Sequence, residues 1–122
     1  MRPIGIFDSG IGGLTVARAI ANRLPNVPLI YFGDTAHLPY GDKSPELIRH
    51  YASRISRHLK EMGCQAIVVA CNSASSNALD AIHETVGGDV AVIDVVQPVL
   101  QDVSRRFAGR RVGVIGKHPV RQ

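Results

Sequence analysis

The sequence predicts an α/β fold in which an open parallel sheet is flanked by helices. Two observations support this prediction: short runs rich in valine and isoleucine recur along the 122 residues, and longer amphipathic segments separate them. Parallel strands need a long crossover connection, usually a helix, so this alternation is typical of right-handed βαβ units. A hydrophobic content of 45% at this length suits one compact domain with its own core.

The strands are predicted from apolar runs that lack helical spacing. In chain order they cover residues 4–7, 28–33, 66–71, 90–95 and 112–116. The third run is apolar from Ala66 to Ala70 and stops at Cys71, which is typical of a buried parallel strand. The last run is followed by only a few residues, so no helix is predicted to cover it. This pattern predicts an incomplete α/β chain.

The helices are predicted from the amphipathic segments between the strands. They cover residues 13–24, 44–62, 75–84 and 98–107. The second is the clearest, because its apolar residues recur at three- and four-residue spacing. Ser44 is a suitable N-cap, Pro45 suits the first turn, and Gly63 suits the C-terminal stop.

Composition and charge argue against several classes of protein. The formal net charge is +4, but the basic residues are scattered and tryptophan is absent, so a solvated basic surface is favoured over a nucleic-acid-binding face. No apolar stretch reaches the ~20 residues of a membrane span, and no signal-peptide pattern begins the chain. Cys64 and Cys71 would lie about 23 Å apart along an extended strand, too far for a disulfide. We therefore expect a cytoplasmic protein.

Polar side chains follow the first three predicted strands. Asp8 and Ser9 come directly after the first strand, and Asn72 and Ser73 come directly after the third. Because the carboxyl ends of parallel strands meet at one edge of a sheet, these groups are expected to form a site there. The loop at residues 33–41 follows the second strand and contributes a carboxylate, a histidine and a tyrosine.

Several of these features have a simpler structural interpretation. Buried cysteine is often only a small hydrophobic residue, but a following helix N-terminus would favour the thiolate of Cys71, whereas Asp8 would oppose it. The glycines after Asp8 lack the full dinucleotide-binding pattern. A turn that directs backbone N–H groups toward a small anion, such as a carboxylate, is favoured over glycines that only permit a tight turn. His37 has no second ligand at suitable spacing, which argues against a zinc site.

Three motifs, in this order and spacing, resemble glutamate racemases of the aspartate/glutamate racemase family. They are Phe7-Asp8-Ser9-Gly10-x-Gly12-Gly13-Leu14, Tyr31-Phe32-Gly33-Asp34-Thr35 with Pro39-Tyr40-Gly41, and Cys71-Asn72-Ser73-Ala74. The resemblance implies cofactor-independent interconversion of L- and D-glutamate, which supplies D-glutamate for peptidoglycan. Two cysteines of the family act on opposite faces of the substrate Cα, and Cys71 matches the first.

The resemblance also implies roles for the other motif residues. Asp8 would assist Cys71 in catalysis and pair with the substrate ammonium. The remaining substrate-binding residues implied are Ser9, Tyr40, Gly41, Asn72 and Ser73. Asp34 is expected to bind substrate in the same manner as Asp8. Asp8 and Asp34 have an alternative role as turn-capping residues. No metal or cofactor is implied.

Members of the family are about twice as long, and their second half carries the partner cysteine in a Cys-Thr-His motif that this sequence lacks. The chain is therefore interpreted as the first half of a two-domain, pseudo-symmetric fold. Residues 1–95 would form the N-terminal domain, and residues 96–122 would begin the second. A racemase of aspartate or another small acid, and a non-catalytic binding or regulatory protein with the same fold, remain alternatives. The sequence leaves a homodimer open.

Overall fold

The computed structural model describes residues 1–111 and 113. Its centre is a parallel sheet of four strands in the order β2-β1-β3-β4. The strands are β1 Ile4–Asp8, β2 Leu29–Gly33, β3 Ala66–Val69 and β4 Ala91–Asp94. The predicted open parallel sheet is confirmed. The predicted strand at 112–116 lies, apart from Gly113, outside the described residues.

In the described residues, five α-helices connect or follow these strands. They are α1 Leu14–Arg23, α2 Pro45–Glu61, α3 Asn72–Asn77, α4 Leu79–Val86 and α5 Val96–Phe107. Two short 3-10 turns, Thr35–His37 and Tyr40–Asp42, lie between β2 and α2. Within the described chain, none of the helices is both long and apolar enough to cross a bilayer.

The signals that predicted α2 are all present in the structure. The Ser44 hydroxyl accepts a hydrogen bond from the Leu47 N–H at 3.2 Å, and Pro45 is the first helical residue. Gly63 has a φ of +89°, a conformation that glycine adopts without steric cost. The predicted limits of this helix are therefore confirmed to within a residue or two.

The prediction of a single helix over residues 75–84 is wrong, because two helices meet at Ala78. Ala78 has φ −132° and ψ 6°, which are not helical angles. The Asn77 carbonyl accepts from Arg49 of α2 at 3.4 Å, and the Asn77 amide donates to the Ser73 carbonyl at 2.8 Å. These side-chain hydrogen bonds accompany the end of α3, and polar side chains of this kind compete with a continuous helical ladder.

The core lies between the sheet and the helices α2, α3 and α4. Its apolar side chains are fully or almost fully buried and include Phe7, Ile48, Leu59, Ile67, Val69, Ile82 and Val86. Ser56 lies on the buried face of α2, and its hydroxyl has no hydrogen-bond partner within the described residues. This packing holds β1 and β3 in position, and therefore also positions the residues that follow these strands.

Candidate active site

A cleft of about 360 Å³ lies where β1 and β3 end. These strands are neighbours, with Phe7 opposite Val69, and the Ala70 N–H continues the pairing by donating to the Phe7 carbonyl at 2.8 Å. The predicted site residues that line the cleft are Asp8, Ser9, Tyr40, Gly41, Cys71, Asn72 and Ser73. The parallel sheet thus brings together residues that are more than sixty positions apart in the sequence.

The Asp8 carboxylate is held from one side by two donors. The side chain is only 4% exposed, and its Oδ2 accepts from the Gly13 N–H and from the Tyr31 hydroxyl, the latter at 2.7 Å. Burial, and secondarily the adjacent Asp8, raises the pKa of Tyr31 well above its usual range, so the hydroxyl remains a donor. Both donors bind Oδ2, which leaves Oδ1 as the oxygen available to a ligand.

The glycine-rich turn after β1 permits this close packing. A Cβ on Gly13 would lie 2.9 Å from the Asp8 carboxylate, and a Cβ on Gly33 would lie 2.3 Å from the Gly10 carbonyl oxygen. The geometry therefore supports the tight turn, whereas the sequence favours an anion-binding turn. The Gly13 N–H binds the carboxylate of this chain and is not free to bind an external anion.

Cys71 lies between β3 and α3 with extended backbone angles, φ −105° and ψ 124°. It is a free thiol that is 5% exposed and lines the cleft. Its carbonyl accepts from the Ser75 N–H at 2.9 Å, and the Ser75 hydroxyl donates to the Val69 carbonyl at 3.2 Å. The backbone on both sides of the thiol is therefore held in place by the strand and the first turn of α3.

Cys64 lies before β3, at the opposite end of that strand from Cys71. It is free and buried, and burial raises the pKa of its thiol. A Cβ on Gly5 would approach its sulfur to 3.0 Å, so the thiol is packed against β1. As the sequence predicts, Cys64 cannot serve as a second reactive group in the cleft.

Tyr40 enters the cleft with its hydroxyl directed away toward Asp34. The ring is 2% exposed, and its hydroxyl donates to Asp34 Oδ2 at 2.6 Å. The His37 Nδ1 lies 2.7 and 2.8 Å from the two oxygens of the same carboxylate. Burial, and then the hydrogen bond to Asp34, raises the pKa of Tyr40 far above its usual range.

Asp34 differs in position from the other predicted site residues. It is 7% exposed and lies behind Tyr40, where it lines a second cavity and not the cleft. Its hydrogen bond reaches the cleft only through Tyr40. A direct contact between Asp34 and a ligand in the cleft is therefore not part of this arrangement.

No role for Tyr31 is predicted from the sequence, although it lies in one of the three motifs. The signal was weak, because a tyrosine in an apolar strand is typical of core packing. Only the pairing of β2 with β1 places its hydroxyl beside Asp8. Within residues 1–111 and 113, no group of three or more metal-ligating side chains is present.

A sequence model of the Asp/Glu/Hydantoin racemase family matches residues 13–122. The chain belongs to this family. Among its racemase relatives, the glutamate racemase of Chlorobaculum parvum is 48% identical over 114 residues, which are 93% of this chain and 42% of that protein. The glutamate racemase of Acidothermus cellulolyticus is 47% identical, with 93% of this chain and 43% of that protein covered.

Solved racemase structures share the fold. The glutamate racemase from Aquifex pyrophilus superimposes with a TM-score of 0.89 and 42% identity, over 97% of this chain and 46% of that chain. The enzyme from Francisella tularensis, solved in complex with D-glutamate, gives a TM-score of 0.81 and 42% identity, over 85% of this chain and 39% of that one. The predicted family and fold are confirmed, and the chain spans less than half the length of these racemases.

Proposed function

We propose that this chain forms one half-site of a cofactor-independent glutamate racemase. The observation that supports this most directly is the shared cleft of Asp8 and Cys71 on neighbouring strands. The relatives named glutamate racemase, and the racemase solved with D-glutamate, support glutamate as the substrate. By family membership, the biological role proposed is the supply of D-glutamate for peptidoglycan in the bacterial cytoplasm.

In this proposal the thiolate of Cys71 removes the α-proton from one face of the substrate. The electron pair left on Cα delocalises into the adjacent carboxylate, and protonation from the opposite face gives the other enantiomer. Asp8, held by Gly13 and Tyr31, pairs with the substrate ammonium and so keeps it protonated, and the positive nitrogen favours loss of the α-proton. The opposite-face acid would be supplied by a segment beyond this half-site, since Cys64 lies at the far end of β3.

The other cleft residues would hold the two carboxylates of glutamate. Ser9, Asn72 and Ser73 offer hydroxyl and amide donors, and Tyr40 with Gly41 forms the facing wall. Asp34 is proposed to position Tyr40, because its carboxylate accepts the Tyr40 hydroxyl. The domain boundary at residue 95 and homodimer formation stay predictions.

Exchange of the glutamate α-proton in D2O, followed by NMR without added cofactor, tests the proposal. We expect the chain to exchange the α-proton of one enantiomer with retention of configuration, because only one face has a base. Cys71→Ser should abolish the exchange, whereas the matched control Cys64→Ser should keep it.

Racemisation by this chain alone would refute the half-site, because it requires a second acid within these residues. Binding of glutamate by the folded chain without exchange would refute the role of Cys71 as a base here. The same assay with aspartate tests the alternative substrate, and faster exchange of aspartate than of glutamate would contradict the proposed specificity.

A further inference from the structure

A second cavity of about 290 Å³ lies on the other side of Asp34 from the cleft. We call it the α2 cavity, because Tyr51, Arg54 and His58 of α2 line it together with Phe32 of β2 and His37 of the following turn. The proposed racemase chemistry uses none of these five side chains directly. The cavity therefore needs an explanation of its own.

The walls of the α2 cavity are largely flat rings. His37 stacks on Tyr51 with ring centroids 3.9 Å apart and planes 22° apart. Phe32 contacts His58 edge-on, with centroids 6.0 Å apart. Aromatic faces and edges offer large apolar area and specific geometry to another planar group. This lining favours a ligand with a ring over a flexible aliphatic one.

Among the residues that the structure describes, the α2 cavity holds an unpaired cationic group, Arg54, beside the carboxylate of Asp34. Asp34 is the carboxylate among the described lining residues, and both of its oxygens already accept hydrogen bonds from the His37 and Tyr40 side chains. In the described part of the chain, the Arg54 guanidinium makes neither a hydrogen bond nor an ion pair. Guanidinium binds carboxylate with two parallel hydrogen bonds, so Arg54 provides the available cationic group.

We propose that the α2 cavity binds a small aromatic carboxylate. The ring would lie among Phe32, Tyr51 and His58, and the carboxylate would bind Arg54. A volume of about 290 Å³ is at the lower end for ligand pockets, which suits one ring with one anionic group. This site is separate from the cleft and does not depend on the proposed racemase reaction.

Titration of the ¹⁵N-labelled chain with benzoate, followed by amide NMR shifts, tests the site. We expect amide shifts at residues 32, 37 and 51–58. Benzamide, which lacks the charge, and cyclohexanecarboxylate, which lacks the aromatic ring, should each bind about tenfold more weakly than benzoate. Arg54→Gln should weaken benzoate binding about tenfold. Arg57→Gln is the matched control, since Arg57 is exposed on the same helix but does not line the cavity, and it should bind benzoate normally.

Four results of the benzoate experiments would overturn the proposal. These are no shifts at millimolar benzoate, shifts confined to cleft residues such as Ser9 and Asn72, equal binding of benzamide, or unchanged binding by Arg54→Gln. Shifts at the cavity that follow protein concentration without benzoate would point to a second copy of the chain as the occupant, and would also overturn it. Glutamate titrated into the same samples reports on the cleft, so failure of one site is distinguished from failure of the other.

Discussion

Gly33→Ala is expected to destabilise the protein, because the new methyl group has no room. A Cβ at this position would lie 2.3 Å from the Gly10 carbonyl oxygen, and also 3.1 Å from the Tyr31 ring. Ordinary contact begins near 3.4 Å, so the turn would have to move by roughly 1 Å, a shift of the size that overpacking produces. Gly33 pairs with Asp8 across β1 and β2, so the strain falls on two hydrogen-bonded strands.

The cost of this overpacking is expected to be about 2–3 kcal/mol of unfolding free energy, since the obstacle is backbone and cannot rotate away. For a domain of this size that corresponds to a fall in Tm of roughly 8–12 °C. Gly12→Ala is the matched control, because a Cβ there meets nothing within 4 Å. We expect it to be neutral or to stabilise by about 0.4–1 kcal/mol through the unfolded chain.

Urea denaturation of the chain and both variants, followed by circular dichroism, measures the difference. We expect opposite or clearly separated effects on stability at Gly33 and Gly12. If Gly33→Ala unfolds within about 0.5 kcal/mol of the parent chain, an amount typical of ordinary surface substitutions, the close approach of Gly33 to Gly10 is not rigid and the argument fails.

Three further predictions concern single side chains. Ser56→Ala should raise the unfolding free energy by about 1–2 kcal/mol in urea denaturation. The substitution removes a 0% exposed hydroxyl that has no partner in the described residues, and alanine has the higher helix propensity. A loss of stability would show that the hydroxyl is hydrogen-bonded. Burial raises the pKa of Cys64. The stability that its protonated thiol provides is therefore complete below the unfolded thiol pKa of about 8.5 and is lost as pH rises toward the folded pKa. This alkaline decline of the unfolding free energy should be smaller in Cys64→Ala, and an equal decline in both proteins would contradict the prediction. Tyr31→Phe should weaken glutamate binding about tenfold in an NMR titration, because Asp8 loses one of two donors; unchanged affinity would mean that Gly13 alone orients Asp8.

The sheet could be predicted from sequence because its signals are local. Each apolar run is bounded by glycine, proline or polar residues, and the connections are long enough for crossovers. The break at Ala78 could not be predicted in this way, because nothing in the local residues rules out one helix through 75–84. The hydrogen bond from Arg49 to the Asn77 carbonyl joins residues 28 positions apart, and sequence periodicity carries no information about such contacts.

The same limit applies to the candidate site. Asp8 and Cys71 were predictable because each directly follows an apolar strand, and parallel strands bring such ends together. Asp34 follows the next strand in the same manner, yet it lies behind Tyr40. Its position depends on the turn at residues 34–42, where two short 3-10 segments change the direction of the chain. The side-chain direction in such a turn is set by packing, which motif spacing does not encode.

Asp34 forms part of the boundary between two cavities, and this has a consequence for mutational experiments. Its carboxylate accepts from Tyr40, which lines the cleft, and from His37, which lines the α2 cavity. Asp34→Asn would therefore alter both compartments at once, and a measured change could not be assigned to either. Separating the two effects requires two double-mutant cycles. One combines Asp34→Asn with Tyr40→Phe and the other combines Asp34→Asn with His37→Gln, so that each coupling energy is measured separately.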